Sequence, residues 1–414
     1  MKKILMLFTG GTIASVKTER GLEPLLTAEQ MFRYLPDIRQ DVQLSSMQVC
    51  NLDSTNMDYV QWQNIARAIE ENYDAFDGFV VCHGTDTMAY TAAALSYLIQ
   101  NSAKPIVLTG SQQPIQMEIT DARKNLQDSI CYAADEDSHG VCLIFDGKVI
   151  IGTRARKVMS FSYHAFSSIN FPEIASMQFG DIVRYIPCTR PKPQESCFHP
   201  KDALSNSETR LPSVSDSNSR LFTNSNSQNR FSFASGFIGS FGSVKSVGSA
   251  DSVDSVSSIS SSASHETPSV RSSTIFYHRM NPKVYLLKLT PGIRPLVLPA
   301  IFEAYDCIIV ESFGVGGLPD SIVDEFCDLM NQYPTGSKIV IMTTQVTYEG
   351  SNVSAYEVGR RLKGRFPYLE ACDMTIEAVF AKIMWILGME GLSFEEIEEL
   401  FYREISYDIL VPRR

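Results

Sequence analysis

The sequence predicts an α/β fold, with a doubly wound, mostly parallel sheet in an N-terminal domain and a smaller α/β domain at the C-terminus. Short apolar runs alternate with stretches whose apolar residues recur at helical spacing, a pattern typical of β-α-β units. In addition, four apolar runs in the first part of the chain each lead into a small cluster of hydroxyl or acidic side chains. Because ligands bind beyond the carboxyl ends of parallel strands, these polar ends are expected to converge on one crevice.

The elements of the N-terminal part follow from this alternation. The predicted strands, with the polar clusters that they lead into, are 3–8 with Thr9–Thr12, the run to Cys50 with Asp53–Thr55, 80–82 with Gly84–Thr87, and 106–108 with Thr109–Gln112. A further strand is predicted over 141–145, and residues 148–153 extend it or pair with it. Helices are predicted around the apolar stripe of Trp62, Ile65, Ala66 and Ile69, and over 92–99 and 121–134.

The last part of the chain repeats the pattern on a smaller scale. Its predicted strands are 284–289, 306–310 and 339–342. Asp373 is expected to cap a helix with an apolar stripe over 376–386, and the pattern Ser393-x-x-Glu396 predicts a capping box at the final helix. A glycine-rich loop over 313–317 is interpreted as a tight strand-to-helix turn.

Composition changes sharply in the middle of the chain, where serine becomes the commonest residue. We therefore divide the chain into an N-terminal catalytic α/β domain over 1–190, a low-complexity insertion over 191–276 and a C-terminal α/β domain over 277–414. The insertion is interpreted as disordered, because it cannot bury enough apolar surface to offset the entropy of ordering. Two alternatives are an extended arm that docks a partner and a segment phosphorylated on serine.

Composition and charge exclude several classes of protein. The 414-residue chain has a formal net charge of -11 and lacks the clustered lysines and arginines that nucleic-acid binding needs. No apolar run approaches the roughly 18 residues of a membrane span, and the first run stops at Thr9, short of a signal peptide. The nine cysteines lack C-x-x-C spacing, and Cys82, Cys142 and Cys307 lie inside apolar runs. We therefore expect a soluble, cytoplasmic protein that binds neither nucleic acid nor membrane.

The polar clusters favour acyl transfer by a hydroxyl group over nucleotide or metal chemistry. The glycine-rich turns lack both phosphate-binding fingerprints, and the six histidines lack metal-ligand spacing. His83 and His164 are interpreted as hydrogen-bonded structural residues. A lysine that burial keeps uncharged can activate a threonine, which makes Lys157 a candidate base, although composition alone favours a solvated surface charge there. Backbone N–H groups of the turn over 10–12 are expected to face a developing oxyanion.

Seven segments together carry a resemblance to a known family. They are Thr9–Ala14, Leu52–Met57, His83–Met88, Leu108–Gln112, Thr290–Ile293, Phe313–Gly317 and Asp373–Thr375. These motifs resemble those of the bacterial-type L-asparaginases, especially the cytoplasmic type I group. The resemblance covers most of the chain outside the insertion. It implies the same α/β fold and assembly as a homodimer or homotetramer, and we expect no metal or other cofactor.

The resemblance also implies a role for individual residues. Thr12 corresponds to the nucleophile that attacks the side-chain amide of L-asparagine, and the group that activates threonine or water corresponds to Thr85, Asp86 and Lys157. The residues that correspond to the substrate-binding set are Gly11, Asp53, Ser54, Gly84 and Ser111. In the family, the aspartate and serine of this set hold the α-amino and α-carboxylate groups, and the serine loop cradles the side-chain amide.

One position departs from the family pattern. Many members carry a tyrosine shortly after the nucleophile, in a G-Y-x-P pattern, whereas this chain has Leu22 within Gly21–Pro24. The phenol hydroxyl is therefore missing at that position. We expect Lys157 to compensate for it.

The sequence thus predicts an L-asparaginase that converts L-asparagine to L-aspartate and ammonia through a threonyl ester. A second interpretation is the ammonia-supplying component of a tRNA-dependent amidotransferase, which the early first strand and the acidic balance disfavour. A third is a scaffold whose serine-rich arm recruits partners. The complete set of Thr12, Thr85, Asp86 and Lys157 disfavours that interpretation.

Overall fold

The polar clusters of the sequence lie at one edge of a large sheet in the computed structural model, which describes residues 1–19, 21–34, 41–187 and 274–410. The predicted insertion lies outside these ranges except for residues 274–276. No helix within the described ranges is long and apolar enough to cross a bilayer.

Strands and helices alternate along the chain as predicted. In chain order the strands are β1 Lys2–Gly10, β2 Ser15–Thr18, β3 Gly21–Pro24, β4 Val42–Leu52, β5 Gly78–Cys82, β6 Ile99–Gln100, β7 Pro105–Thr109, β8 Gly140–Phe145, β9 Lys148–Ile151, β10 Ala155–Lys157, β11 Phe166–Ser168, β12 Ala175–Gln178, β13 Asp181–Arg184, β14 Ile275–Phe276, β15 Val284–Lys288, β16 Cys307–Ser312, β17 Ile339–Thr344 and β18 Leu369–Glu370.

The helices fall between these strands. They are α1 Ala28–Phe32, α2 Tyr59–Asn72, α3 Met88–Leu98, α4 Ala122–Ala133, α5 Leu298–Ala304, α6 Val323–Met330, α7 Glu357–Arg360, α8 Ile376–Ile386 and α9 Phe394–Tyr402, with short 3-10 turns at Thr12–Ala14, Ser54–Asn56, Pro295–Val297 and Val353–Ala355. The capping box predicted at Ser393 and Glu396 is confirmed at the start of α9.

The main sheet confirms the predicted doubly wound topology. Its strands lie in the order β13-β12-β9-β8-β7-β5-β1-β4. Strands β4, β1, β5, β7 and β8 are parallel to one another. The β8–β9, β9–β12 and β12–β13 pairs are antiparallel. Because β4, β1, β5 and β7 run in one direction, their carboxyl ends share an edge. The four polar clusters follow those ends.

Alternate residues of β1 pack on opposite faces of the main sheet. Leu5 and Leu7 contact the apolar core formed with α2 and α3, whereas Ile4, Met6 and Phe8 contact the core formed with α4. Helices therefore cover both faces, and the buried strands carry nearly continuous apolar runs, as parallel sheets require.

A separate, smaller sheet in the C-terminal part confirms the second half of the predicted fold. Its strands β15, β16, β17 and β18 are parallel and lie in that order. One face packs on α5 and α6, and the other contributes to the core that contains α3 and α8. Between those two helices the ring of Tyr97 stacks on Trp385 with centroids 6.0 Å apart. The two sheets therefore share one apolar core.

One helix boundary predicted in the N-terminal part was wrong, and one alternative left open by the sequence is decided. The helix predicted from Ala92 begins at Met88, directly after the third polar cluster. Residues 148–151 form β9, which turns back to pair antiparallel with β8 rather than extending it. Gly147 has a φ of 74°, a left-handed conformation that glycine adopts without strain at such a reversal.

The predicted cap of α8 is wrong. The side chain of Thr375, not that of Asp373, accepts the helix N–H group, from Ala378. Asp373 is buried and pairs with Arg154, which is 219 positions away in the sequence. The Asp373 carboxylate is therefore used in a long-range ion pair with Arg154, and Thr375 supplies the oxygen that caps the helix.

Candidate active site

Glycine residues bring the polar loops into direct contact. Gly11 has a φ of 75°, and a Cβ atom built on it would lie 2.3 Å from the Cα of Gly84. A Cβ on Gly84 would lie 2.6 Å from Ser54 Oγ, and one on Gly110 would lie 2.2 Å from the carbonyl oxygen of His83. Any side chain at these glycines would separate the loops. The convergence expected from the sequence is therefore present at this edge.

Three of the predicted catalytic residues form one hydrogen-bonded group. Lys157 Nζ lies 2.8 Å from Thr85 Oγ1 and 2.6 Å from Asp86 Oδ1. The Lys157 side chain is 17% exposed, and Asp86 is 57% exposed. Lys157 is therefore not a freely solvated surface charge, because its ammonium is committed to a hydroxyl and a carboxylate. It reaches them from the end of β10, 71 residues beyond Asp86 in the sequence.

Thr12 lies close to this group, because the backbones of the first and third polar loops touch at Gly11 and Gly84. Thr12 directly follows Gly11 and Thr85 directly follows Gly84, so both threonines leave from the point where the two glycines touch. The hydroxyls of Thr12 and Ser54 make no hydrogen bond to any residue that the structure describes. Both side chains therefore have unused hydrogen-bonding capacity at this edge of the sheet.

The backbone N–H groups of the glycine turn were expected to face an oxyanion, and only one of the two after Gly10 is available for this. The Gly11 N–H donates to the carbonyl oxygen of Leu52 at 2.9 Å and so is not available to an oxyanion. The Thr12 N–H has no acceptor within the described part of the chain. Of these two groups, Thr12 N–H alone can donate to a ligand.

The predicted substrate-binding pair lies on the neighbouring loop. Asp53 is exposed, and its Oδ1 accepts the N–H and the hydroxyl of Thr55 at 2.9 Å each, which fixes the start of the 3-10 turn. Ser54 is 3% exposed, and its carbonyl accepts the Thr87 hydroxyl at 2.7 Å. This bond joins the second polar loop to the third.

The fourth loop contributes a residue that the sequence analysis missed. The hydroxyl of Ser111 donates to the Gln113 carbonyl at 2.5 Å and closes its own loop. Gln112 instead reaches Thr85, with Oε1 at 3.2 Å from Thr85 Oγ1. The Asp121 carboxylate accepts the backbone N–H groups of Gln112 and Gln113. Burial raises the pKa of Asp121, a shift that these hydrogen bonds oppose.

His83 is a buried structural residue, as predicted. Burial lowers its pKa to about 4, so the imidazole is neutral near pH 7. Its Nδ1 lies 2.7 Å from the Gly84 carbonyl, and Nε2 lies 2.9 Å from Thr91 Oγ1, which also accepts the indole N–H of Trp62. A carbonyl only accepts and an indole N–H only donates, so the proton lies on Nδ1. His83 thus holds the peptide that precedes Thr85.

His164 is exposed and pairs with Asp146. In the described part of the chain, neither His83 nor His164 forms a hydrogen bond or an ion pair with Lys157. Within the described ranges, no group of three or more His, Cys, Asp or Glu side chains is placed to hold a metal ion.

The basic stretch around Lys157 divides into different roles. Arg154 is fully buried and donates to the Tyr407 carbonyl at 2.6 Å and to both the carbonyl and the carboxylate of Asp373. A buried arginine is tolerated because all of these acceptors surround it. Arg154 therefore ties the segment that leads into β10 to the C-terminal part of the chain, and only Lys157 faces the polar loops.

Arg156, the residue before Lys157, faces a buried carboxyl group. Arg156 Nε lies 3.9 Å from Glu377 Oε1, and Glu377 is 6% exposed. Burial raises the pKa of Glu377 to about 7, a shift that Arg156 opposes and Glu311 reinforces. Tyr90 lies in the same cluster, and burial raises its pKa to about 12.

We expect Glu377 to make the protein less stable as pH rises. The folded chain holds this proton more tightly than the unfolded chain, so its stabilisation is complete below the ordinary pKa of 4.5 and is lost as pH rises through about 7. The corresponding change is about 3 kcal/mol. In urea unfolding, the wild-type free energy of unfolding should fall further between about pH 5 and about pH 8 than that of Glu377→Gln. The exposed Glu303→Gln variant should follow the wild type, and identical pH dependences for Glu377→Gln and wild type would contradict this expectation.

Comparison with known proteins adds the family to this geometry. The family model "Asparaginase, N-terminal" matches residues 3–187, and the model "Glutaminase/Asparaginase C-terminal domain" matches residues 283–401. The chain belongs to the asparaginase family. The resemblance seen in the sequence motifs is thereby confirmed at the level of the family.

Relatives of this asparaginase-family protein carry different activities in their names. An L-asparaginase of Thermococcus kodakarensis is 32% identical over 413 residues, which cover 98% of this chain and 99% of the relative. A component of the glutamyl-tRNA(Gln) amidotransferase of Methanococcus maripaludis is 27% identical, with 99% of this chain and 81% of the relative covered. A 60 kDa lysophospholipase of Mus musculus is 25% identical, with 99% and 63% covered.

A solved structure agrees with the sequence comparison. The thermostable L-asparaginase from Thermococcus kodakarensis superposes with a TM-score of 0.71 at 30% identity, covering 99% of both chains. The family therefore indicates an amidohydrolase, with L-asparaginases among its full-length relatives.

Proposed function

We propose that this asparaginase-family protein hydrolyses the side-chain amide of L-asparagine to L-aspartate and ammonia, with Thr12 as the nucleophile. The observation that carries the proposal is the Lys157–Thr85–Asp86 group, held beside the Gly11–Gly84 contact from which Thr12 departs. A full-length L-asparaginase relative supports the choice of substrate.

The chemistry divides into two acyl-transfer steps. In the first, Thr12 Oγ1 forms a bond to the amide carbon, its proton passes by way of the neighbouring Thr85–Lys157 group to the amide nitrogen, and the carbon–nitrogen bond breaks to release ammonia. In the second, water adds to the ester carbon, the bond to Thr12 Oγ1 breaks, and aspartate leaves as the hydroxyl regains a proton. The Thr12 N–H is the available backbone donor for the negative oxygen of each tetrahedral intermediate.

Charge complementarity supports asparagine as the ligand. The Asp53 carboxylate is exposed beside Ser54, whose hydroxyl has no partner among the described residues. A carboxylate suits the α-ammonium group of an amino acid, and a hydroxyl suits its α-carboxylate. We further propose that the protein acts as a homodimer or homotetramer in the cytoplasm, without a cofactor, as the family resemblance implies.

A substrate panel tests the proposal. We expect ammonia release from L-asparagine with a kcat/KM at least about tenfold above that for L-glutamine or D-asparagine, because an extra methylene or an inverted α-carbon misplaces the amide relative to Thr12. Fatty-acid release from lysophosphatidylcholine is measured in parallel, since a lysophospholipase is among the relatives. A protein that releases no ammonia from L-asparagine, or that prefers L-glutamine or the lysolipid, would contradict the proposal.

A further inference from the structure

Gln112 links the Thr85 hydroxyl to the loop that follows Lys157. Its Oε1 lies 3.2 Å from Thr85 Oγ1, and its Nε2 lies 3.2 Å from the Ser160 carbonyl and 3.1 Å from the Ser162 carbonyl. Ser160 and Ser162 belong to the connection between β10 and β11, directly after Lys157. One side chain therefore contacts both sides of the Lys157–Thr85 hydrogen bond.

The orientation of the Gln112 amide is fixed by its partners. The two backbone carbonyls can only accept hydrogen bonds, so they must face the NH₂ group. The oxygen of the amide then faces Thr85 and can only accept. Thr85 must therefore donate its hydroxyl proton to Gln112, and it accepts from Lys157 Nζ at 2.8 Å.

This arrangement sets the direction of every hydrogen bond around Thr85. As long as the Thr85 proton points to Gln112, it does not point to Lys157, and Lys157 acts as the donor. The second lone pair of Thr85 Oγ1 stays open to a further donor, such as a nucleophile that approaches the site.

The backbone of Gln112 is held as firmly as its side chain. Asp121 accepts the Gln112 N–H with both carboxylate oxygens, at 3.1 and 2.9 Å. Asn125 donates to the same carboxylate at 3.3 Å and to the Gly110 carbonyl at 3.0 Å. The support extends from α4 through Gln112 to Thr85.

We propose that Gln112 is a positioning residue, which fixes the Thr85 hydroxyl with its proton turned away from Lys157 in the resting site and anchors the loop after Lys157. When the Thr12 proton is transferred, the Thr85 proton turns from Gln112 to Lys157. The proposal rests on the proposed function for its effect on turnover. Both N–H groups of the amide are already used by protein carbonyls, so Gln112 has no donor left for a substrate. Its loss should therefore affect kcat rather than KM.

Kinetics of Gln112→Met test this role. We expect kcat to fall about 10- to 100-fold, with KM changed by less than about threefold, because Thr85 is misplaced while the substrate contacts remain. The Thr85 proton can then face Lys157, so the pH profile of kcat should differ from that of wild type. Gln112→Asn, which keeps the amide but is one methylene shorter, should also lower kcat and change its pH profile.

A measurement that does not depend on turnover completes the test. In a threonine-methyl NMR spectrum, the Thr85 cross-peak, assigned with Thr85→Val, should shift in Gln112→Met. Gln116→Met is the matched control, because Gln116 lies exposed on the same loop and bonds only Tyr34 among the described residues. It should leave both kcat and the Thr85 cross-peak unchanged.

The outcomes separate this proposal from the proposed function. A loss of kcat with an unmoved pH profile and an unmoved Thr85 cross-peak would show a merely structural role and overturn the proposal. Unchanged kcat in both Gln112 variants would overturn it as well. If wild type releases no ammonia from L-asparagine, the proposed function fails, and the Thr85 cross-peak alone decides whether Gln112 positions this hydroxyl.

Discussion

Replacing Lys157 by methionine is expected to lower kcat for L-asparagine by at least about 10³-fold while the protein stays folded. Lys157 Nζ donates hydrogen bonds to both Thr85 and Asp86, and no other cation in the described ranges is bonded to either. Methionine keeps most of the side-chain volume but removes the donor and the charge. Asp86 is 57% exposed, so its carboxylate stays hydrated without a partner and stability should change little. Steady-state ammonia release and thermal unfolding measure the two quantities.

Two further variants separate the functions of that lysine. Lys157→Arg keeps the charge but cannot give up its proton at neutral pH, so it should remain strongly impaired if the proton of Thr12 passes through Lys157. Lys148→Met is the matched control, because Lys148 on β9 pairs with the partly exposed Glu173 at 3.2 Å and forms no ion pair with Asp86. Its activity should equal that of wild type. A Lys157→Met protein with more than about a tenth of wild-type activity would contradict the role proposed here.

The architecture could be predicted because strands of a covered parallel sheet are buried on both faces, and this burial leaves a recognisable apolar pattern in the sequence. β1, β5 and β7 are buried on both faces, so each appears in the sequence as an uninterrupted apolar run that ends where the chain meets solvent. The amphipathic stripe of α2 was readable for the same reason, since Trp62 and Ile65 face one core. The start of α3 was missed because almost every residue from Met88 to Leu98 is buried, which leaves no amphipathic contrast to mark its first turn.

The residues of the hydrogen-bonded group could be predicted, but the residue that holds them in place could not. Motif resemblance identified Thr85, Asp86 and Lys157, which the structure brings together. Gln112 stood at the end of a recognised motif, yet only the fold places Ser160 and Ser162 against its amide. The signal available in the sequence was an amide side chain directly after a strand-end serine.

The errors share a physical cause, which is competition from distant partners. Aspartate is a residue type that often caps helices, which is why Asp373 was predicted as a cap. The buried guanidinium of Arg154 requires a carboxylate partner, however, and Asp373 is the carboxylate that reaches it. In the same way, the Gly11 N–H expected to face an oxyanion is taken by Leu52 on the neighbouring strand. Such pairings depend on three-dimensional distances that sequence spacing does not encode.

Thr12→Ala is expected to abolish turnover, with kcat reduced by at least about 10⁴-fold, because no acyl-enzyme can form without the hydroxyl. Thr12 is half-buried, and its hydroxyl bonds no residue that the structure describes, so its removal should leave the melting temperature within a few degrees of wild type. Thr12→Ser keeps a hydroxyl on the same carbon position and should retain measurable activity. Equal activities of Thr12→Ala and wild type would overturn the assignment of the nucleophile.

Partitioning of the intermediate gives a second, independent test of Thr12. If an aspartyl ester of Thr12 forms, hydroxylamine and water compete for the same species whatever group has left. The ratio of aspartyl hydroxamate to aspartate should therefore be equal for L-asparagine and for the β-methyl ester of L-aspartate at one hydroxylamine concentration. Direct attack of water on the substrate would give ratios that depend on the leaving group. Ratios that differ between the two substrates would then contradict a common acyl-enzyme, even if Thr12→Ala were inactive.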